Sequence, residues 1–177
     1  MHQIEIQRVT LQDVAELQKI GRETFLETFG SVNTEANMQQ YLAEGFSVEK
    51  LTAELSHPQS EFYFAKQDRM TIGYLKLNMG AAQTELQDDK SLEIERIYVL
   101  SCFHGKSIGQ QLYTHALQIA REHHMESVWL GVWEENPRAI AFYRKNGFLP
   151  FGQHVFRLGD DVQTDVMMRL WALIQPF

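Results

Sequence analysis

Between Leu92 and Gly109 the sequence passes from a strand into a glycine-bearing turn and then into a helix. That order confines the chain to architectures that lay helices on a sheet. Leu92 to Leu100 reads as a strong strand, and His104-Gly105-Lys106-Ser107-Ile108-Gly109 as a short turn. Ile108, Leu112, Ala116, Ile119 and Ala120 then recur on one helical face. Val128 to Trp133 is the next strand. Asn136-Pro137 opens a helix over Arg138 to Lys145, which Asn146-Gly147 is suited to stop.

The flanking segments fit the same plan. Ile4 and Ile6 alternate with polar residues as a first strand, and Thr10 is positioned to cap an amphipathic helix through Leu11, Val14, Leu17, Ile20, Phe25 and Phe29. Asn33 or Thr34 caps a second helix through Tyr41 and Leu42, and Ser47 a third through Leu51 and Leu55. Glu61 to Lys66 and Thr71 to Leu77 form a β-hairpin, and the weakly patterned stretch Gly80 to Lys90 forms a loop. Phe151 to Leu158 and Thr164 to Trp171 are strands around Gly159-Asp160-Asp161. The expected fold is an α/β sandwich with a mixed central sheet, and 177 residues suit a single domain over the whole chain.

Composition narrows the function. With 44% hydrophobic and 22% charged residues the chain is ordinary globular protein. No apolar run reaches the ~18–20 residues that span a bilayer, and MHQIEIQRVT lacks the basic-then-apolar layout of a signal peptide, so a cytoplasmic location without membrane contact is expected. The lone Cys102 has no disulfide partner and no metal-ligand spacing, and His123 and His124 point apart on a helix, so no metal site is expected. A formal net charge of -7 argues against a nucleic-acid partner and suits a cationic small molecule.

A glycine turn ahead of a helix presents free backbone N–H groups and a positive dipole end, which suits a pyrophosphate, although such turns also serve as plain connections. Here the neighbours add to it. The strand Leu92 to Leu100, its turn and helix, the strand to Trp133 and the run Asn136-Pro137-Arg138-Ala139-Ile140-Ala141-Phe142-Tyr143-Arg144-Lys145-Asn146-Gly147-Phe148 together resemble the GNAT family of N-acetyltransferases. The family turn, Arg/Gln-x-x-Gly-x-Gly/Ala, reads His104-x-x-Ser107-x-Gly109 here. Ser107 keeps a backbone N–H, but its Cβ disfavours positive φ and limits the approach of a phosphate.

The resemblance implies a GNAT-type acyl-CoA N-acyltransferase fold with helices on both sheet faces, and acetyl-CoA as co-substrate. It implies that the backbone at Ile97, Tyr98 and Val99 pairs with pantetheine, and that His104, Gly105, Lys106, Ser107, Ile108, Gly109 and Gln110 cradle the pyrophosphate. Asn136 would hold the pantetheine arm, and Tyr143 would protonate the leaving thiolate. The amine would attack directly, with Glu95, or else Glu93, removing its proton. In a regular strand these two share a face; their alternative reading is the polar side of an amphipathic strand, as Tyr143 alternatively reads as a core aromatic.

Gly152 to Asp161 and Leu130-Gly131-Val132-Trp133-Glu134 further resemble the PaiA-type branch, which acetylates spermidine and spermine. Glu134, Glu135, Asp160, Asp161 and Asp165 are expected near the mouth of the site, either as solvated surface or as attraction for a cationic acceptor. Trp129 and Trp133 read as packing and His154 as structural. The expected activity is acetyl transfer to a polyamine or other small amine; a peptide acceptor, or an acyl-CoA sensor without turnover, are the alternatives. The apolar ending Leu170-Trp171-Ala172-Leu173-Ile174 leaves a homodimer open.

Overall fold

A computed structural model describes residues 3–171. The chain runs β1 (Ile4–Arg8), α1 (Val14–Phe29), α2 (Glu35–Gly45), α3 (Val48–Ser56), β2 (Ser60–Gln67), β3 (Met70–Met79), β4 (Ser91–Val99), α4 (Ile108–Glu122), β5 (Ser127–Trp133), α5 (Pro137–Lys145), β6 (Leu149–Leu158) and β7 (Asp161–Trp171). Ala172, Leu173 and Ile174 lie outside the described residues.

Each start signal has a specific geometry. Thr10 closes a capping box with Asp13 around a single 3-10 turn, from which α1 continues. Thr34, rather than Asn33, caps α2 by accepting from the Asn37 N–H, and Ser47 caps α3 by accepting from Lys50. Asn136 accepts from Ala139 N–H, with Pro137 in the first turn of α5.

The seven strands form one sheet in the order β1-β2-β3-β4-β5-β7-β6. All neighbours are antiparallel except β4 and β5. Both faces are covered, as the pattern requires. Ile94, Ile97 and Val99 of β4 pack with α4 and α5 in one core, while α1, α2 and α3 pack in a second with Phe62, Phe64, Tyr74 and Tyr98. Among the described residues no helix is long and apolar enough to cross a membrane.

Two irregularities in β4 open the middle of the sheet. First, Lys76 of β3 faces Arg96 but Leu77 faces Ile94, so Glu95 is one extra residue, a β-bulge. The bulge reverses the alternation: Ile94 and Ile97 enter the same core although three residues apart, and Glu93, Glu95, Arg96 and Tyr98 are left for the other side. Second, β4 pairs with β5 only at Ser91–Ser127, Leu92–Val128 and Glu93–Trp129. Beyond that the parallel strands separate.

Candidate active site

The gap between β4 and β5 exposes backbone that a sheet would normally use. Leu100 N–H donates to Ile72 O of β3, so by antiparallel alternation Tyr98 also turns its backbone to β3, while Ile97 and Val99 turn theirs into the gap. A groove of about 670 Å³ opens here, lined by Ile97, Tyr98, Val99, the turn after β4, the start of α4 and one side of α5.

The start of α4 is built to receive an anion. Ser107 is its N-cap but makes no side-chain cap, and the first helical bond runs from Gln111 N–H to Ser107 O. The N–H groups of Ile108, Gly109 and Gln110 therefore remain open at the positive end of a 15-residue helix. Gly105 (φ 77°) and Ser107 (φ 61°) both take the left-handed conformation that lets the turn curl. A Cβ added at Gly105 or Gly109 would meet nothing within 4 Å, so the cradle has room for a bulky group.

His104 sits across this groove. Arg138 Nη1 donates to its Nδ1 (2.9 Å), and since Arg can only donate, Nε2 carries the proton and donates to Val99 O (2.7 Å). The imidazole thus occupies one of the two acceptor positions of the Val99 carbonyl.

On the α1/α2 side of the sheet the gap opens into a second cavity of about 370 Å³. Phe25 and Phe29 of α1 and Tyr41 of α2 line it from the helices, and Glu93 of β4, Trp129 of β5, His154 of β6 and Asp165 of β7 line it from the sheet. Gly131 makes space for the last two, since a Cβ there would lie 3.0 Å from His154 Cε1 and 3.4 Å from Asp165 Oδ2. Thr28, Ile97, Tyr98, Asn136, Ala139 and Tyr143 line both spaces, so the two meet at the gap. The Tyr143 hydroxyl has no hydrogen-bond partner among the described residues, and burial pushes its phenol well above the ordinary range, keeping it protonated.

The acidic groups of the cavity differ in their surroundings. Glu95 belongs to a ring of alternating charge: Lys76 Nζ lies 2.5 Å from Glu95 and 3.2 Å from Glu54, and Arg96 lies 3.1 Å from Glu54 and 3.3 Å from Glu95. Burial alone would raise the Glu95 carboxyl, but Arg96 and Lys76 outweigh it and hold it below its ordinary value. Glu93 accepts from Thr84 Oγ1 (2.5 Å), Thr84 N–H (2.9 Å) and Asn78 Nδ2 (3.0 Å), and no Lys or Arg pairs with it among the described residues. Burial raises it, and these bonds bring it only part of the way back. Asp165 is likewise raised by burial, with His154 at 3.6 Å pulling the other way. Glu85 lies 4.0 Å from the opposite nitrogen of His154.

A groove with an anion-binding helix end, joined through a buried phenol to a carboxylate-lined cavity, can hold a long phosphorylated carrier beside an amine. Residues 17–148 match the profile of the Acetyltransferase (GNAT) family. The chain belongs to the GNAT family. An N-acetyltransferase of Lactobacillus delbrueckii subsp. lactis, described as uncharacterized, is 42% identical over 166 residues, covering 94% of this chain and 96% of that one. The spermidine N(1)-acetyltransferase of Thermoplasma acidophilum is 29% identical over 149 residues, covering 82% and 88%. The crystal structure of PaiA N-acetyltransferase from the same organism with coenzyme A superposes with a TM-score of 0.78 at 25% identity, covering 96% of this chain and 99% of that one. The chain is thus an acetyl-CoA-dependent N-acetyltransferase of GNAT fold.

As a GNAT enzyme it places most residues singled out in the sequence around the two spaces. Ile97, Tyr98, Val99, His104, Gly105, Ser107, Ile108, Gly109, Gln110, Asn136 and Tyr143 line the groove. Lys106 does not; its ammonium rests on the Phe103 ring, 4.6 Å from the centroid. Glu93 and Glu95 share a face and both accept from Asn78 Nδ2, despite the bulge. Of the acidic residues expected at the mouth, only Asp165 lines the cavity. His154, read as structural, lines it too, with Nδ1 buried and without a hydrogen bond. Thr84, Glu85, Arg138 and Lys145 carried no signal in the sequence; loop and helix-surface polar residues look alike until the fold sets them beside the two spaces.

Proposed function

We propose that this enzyme acetylates a small cationic amine, a polyamine or a compound of that kind, in the cavity behind Tyr143. The observation that carries the reading is that Glu85, Glu93 and Asp165 line one cavity without a Lys or Arg partner among the described residues. Glu93 is buried and Asp165 partly so, while Glu85 is exposed; a carboxylate removed from water is stable only when compensated, and an ammonium ligand supplies a cation that no Lys or Arg provides there. A volume of about 370 Å³ is at the small end for ligand sites, which favours a compact amine over a peptide. The spermidine acetyltransferase among the relatives supports the same class.

In this reading acetyl-CoA lies along the groove with its pyrophosphate at the N–H groups of Ile108, Gly109 and Gln110, and its pantetheine amides against Ile97 and Val99. Asn136, whose Oδ1 is committed to capping α5, offers its Nδ2 to the arm. Glu93 accepts the proton of the attacking ammonium, directly or through water; its raised affinity for protons suits a base, whereas Glu95 is held ionised by Lys76 and Arg96 and serves as a fixed charge. Tyr143 returns a proton to the thiolate as the thioester breaks. The test is free-thiol release from acetyl-CoA with spermidine, spermine, a neutral amine-bearing sugar and short peptides. Turnover on the polyamines fits the proposal; turnover on peptides alone would replace it.

A further inference from the structure

We propose that Thr84 is a positioning residue for acetyl transfer: its backbone N–H and its hydroxyl together clamp the Glu93 carboxylate so that one acceptor position, on Oε1, stays open. This rests on the reading of Glu93 as the proton acceptor.

The clamp is held by its neighbour. Gln83 is 2% exposed, and its side-chain amide uses all of its hydrogen-bonding capacity. Nε2 donates to Gly80 O (3.3 Å) and Asp88 O (2.7 Å), which closes the loop between β3 and β4 on itself. Oε1 accepts from Ser91 Oγ (3.1 Å) and from Trp129 Nε1 (2.6 Å), which ties that loop to β4 and to the buried Trp129 of β5. A satisfied buried network of this kind fixes geometry, because any alternative leaves a polar group unpaired. The residue after Gln83 is delivered to a set place.

An ionised carboxylate offers about four in-plane acceptor positions, two on each oxygen. Thr84 N–H and Asn78 Nδ2 take both on Oε2, and the Thr84 hydroxyl takes one on Oε1. The remaining Oε1 position is where a proton from the amine can be received. Other charged or titratable groups around the cavity are Tyr41, Glu85, Glu95, Arg96, Tyr98, Tyr143, His154 and Asp165. None of them hydrogen-bonds Glu93 among the described residues; Glu95 meets it only through the shared Asn78 amide. Thr84 thus stands out as the donor contributed by a loop rather than by the sheet. Its side chain is exposed, so replacing it opens no hole in the core.

Thr84→Val removes the hydroxyl but keeps the N–H and the shape. The hydroxyl bonds the charged carboxylate more strongly than the neutral acid, so its loss favours protonated Glu93 and moves the acid limb of the kcat/KM profile upward. A charge-assisted bond at a partly exposed site corresponds to a shift of about one pH unit. The experiment compares the pH profiles of the parent, Thr84→Val, Thr84→Ser and Glu93→Gln, alongside thermal unfolding. The expected result is a limb raised in Thr84→Val, restored in Thr84→Ser and absent in Glu93→Gln. A limb lost in Glu93→Gln but unmoved in Thr84→Val would overturn the role of Thr84 alone. A limb kept in Glu93→Gln would overturn the base assignment, and Thr84 with it.

Discussion

Replacing Lys76 by Met tests how the bulge of β4 is held. Met keeps most of the aliphatic stem of a side chain that is 6% exposed but removes the ammonium, which lies between Glu95 at 2.5 Å and Glu54 at 3.2 Å. It leaves two carboxylates against the single guanidinium of Arg96, in a site where all four side chains are less than one-fifth exposed. Removing one partner from a buried pair costs about 3–5 kcal/mol, and the stacking of Lys76 on Phe62 is included in that loss. For a chain of this size each kcal/mol moves Tm by roughly 2–4 °C, so a fall on the order of 10 °C is expected. The surplus charge, not the lost contact, is the main cause, and Glu95→Gln on the same background should recover part of the loss. In urea unfolding the double-mutant cycle should show a coupling of about 1–3 kcal/mol. Costs that add to within ~0.5 kcal/mol, or a Lys76→Met cost below ~1 kcal/mol, would show that the ring behaves as ordinary surface ion pairs and would refute the reasoning.

Tyr143→Phe should lower kcat by about 10²-fold with the KM for acetyl-CoA nearly unchanged, because the phenol is asked to act only as the thiolate forms; unchanged kcat would remove its acid role. Ser107→Gly relieves a left-handed serine that costs roughly 1–2 kcal/mol, offset in part by the added freedom of glycine in the unfolded chain, so Tm should rise by up to about 3 °C with coenzyme A binding kept, and a weakened binding in calorimetry would mean that the hydroxyl is itself a phosphate ligand. Glu93→Gln should abolish most turnover yet stabilise the fold at pH 8: a raised carboxyl contributes stability that is present below its unfolded value and lost as pH rises through its folded one, and the Thr84 hydroxyl can reverse to accept from the new amide. Urea midpoints at pH 4.5 and 8 check this; a Gln variant less stable at pH 8 than its parent would contradict it.

Much of the architecture was legible because each element carries its own period and its own end signals. Thr34 and Ser47 cap the helices that they precede, and the apolar face of α4 is the one its spacing marks. The groove was legible for the same reason: a strand, a turn and a helix are contiguous in sequence, so their order alone puts backbone N–H groups at a helix end. The acceptor cavity was not. Its walls come from α1, α2, α5, the loop before β4 and four strands, and only the fold brings them together. Regular alternation gave no sign of the bulge at Glu95, which turns Arg96 toward the same side and lets it join Lys76 in neutralising that carboxylate, with Glu54 as the second anion of the ring. With Glu95 so engaged, Glu93 is the base that we propose, a choice that the spacing of the two residues could not decide. Thr84 and His154 were hidden by their surroundings in sequence, a polar loop and an exposed edge strand.

The central proposal is that carboxylates without a Lys or Arg partner among the described residues make the cavity a receptor for more than one positive charge. It is tested most directly by kcat/KM for a four-carbon diamine against the monoamine of equal chain length, measured in the parent and in Asp165→Asn. A second ammonium held by the partly buried Asp165 carboxylate should favour the diamine by about 10-fold or more in the parent, with most of that preference lost in Asp165→Asn. Equal values for the two amines in the parent would contradict the account.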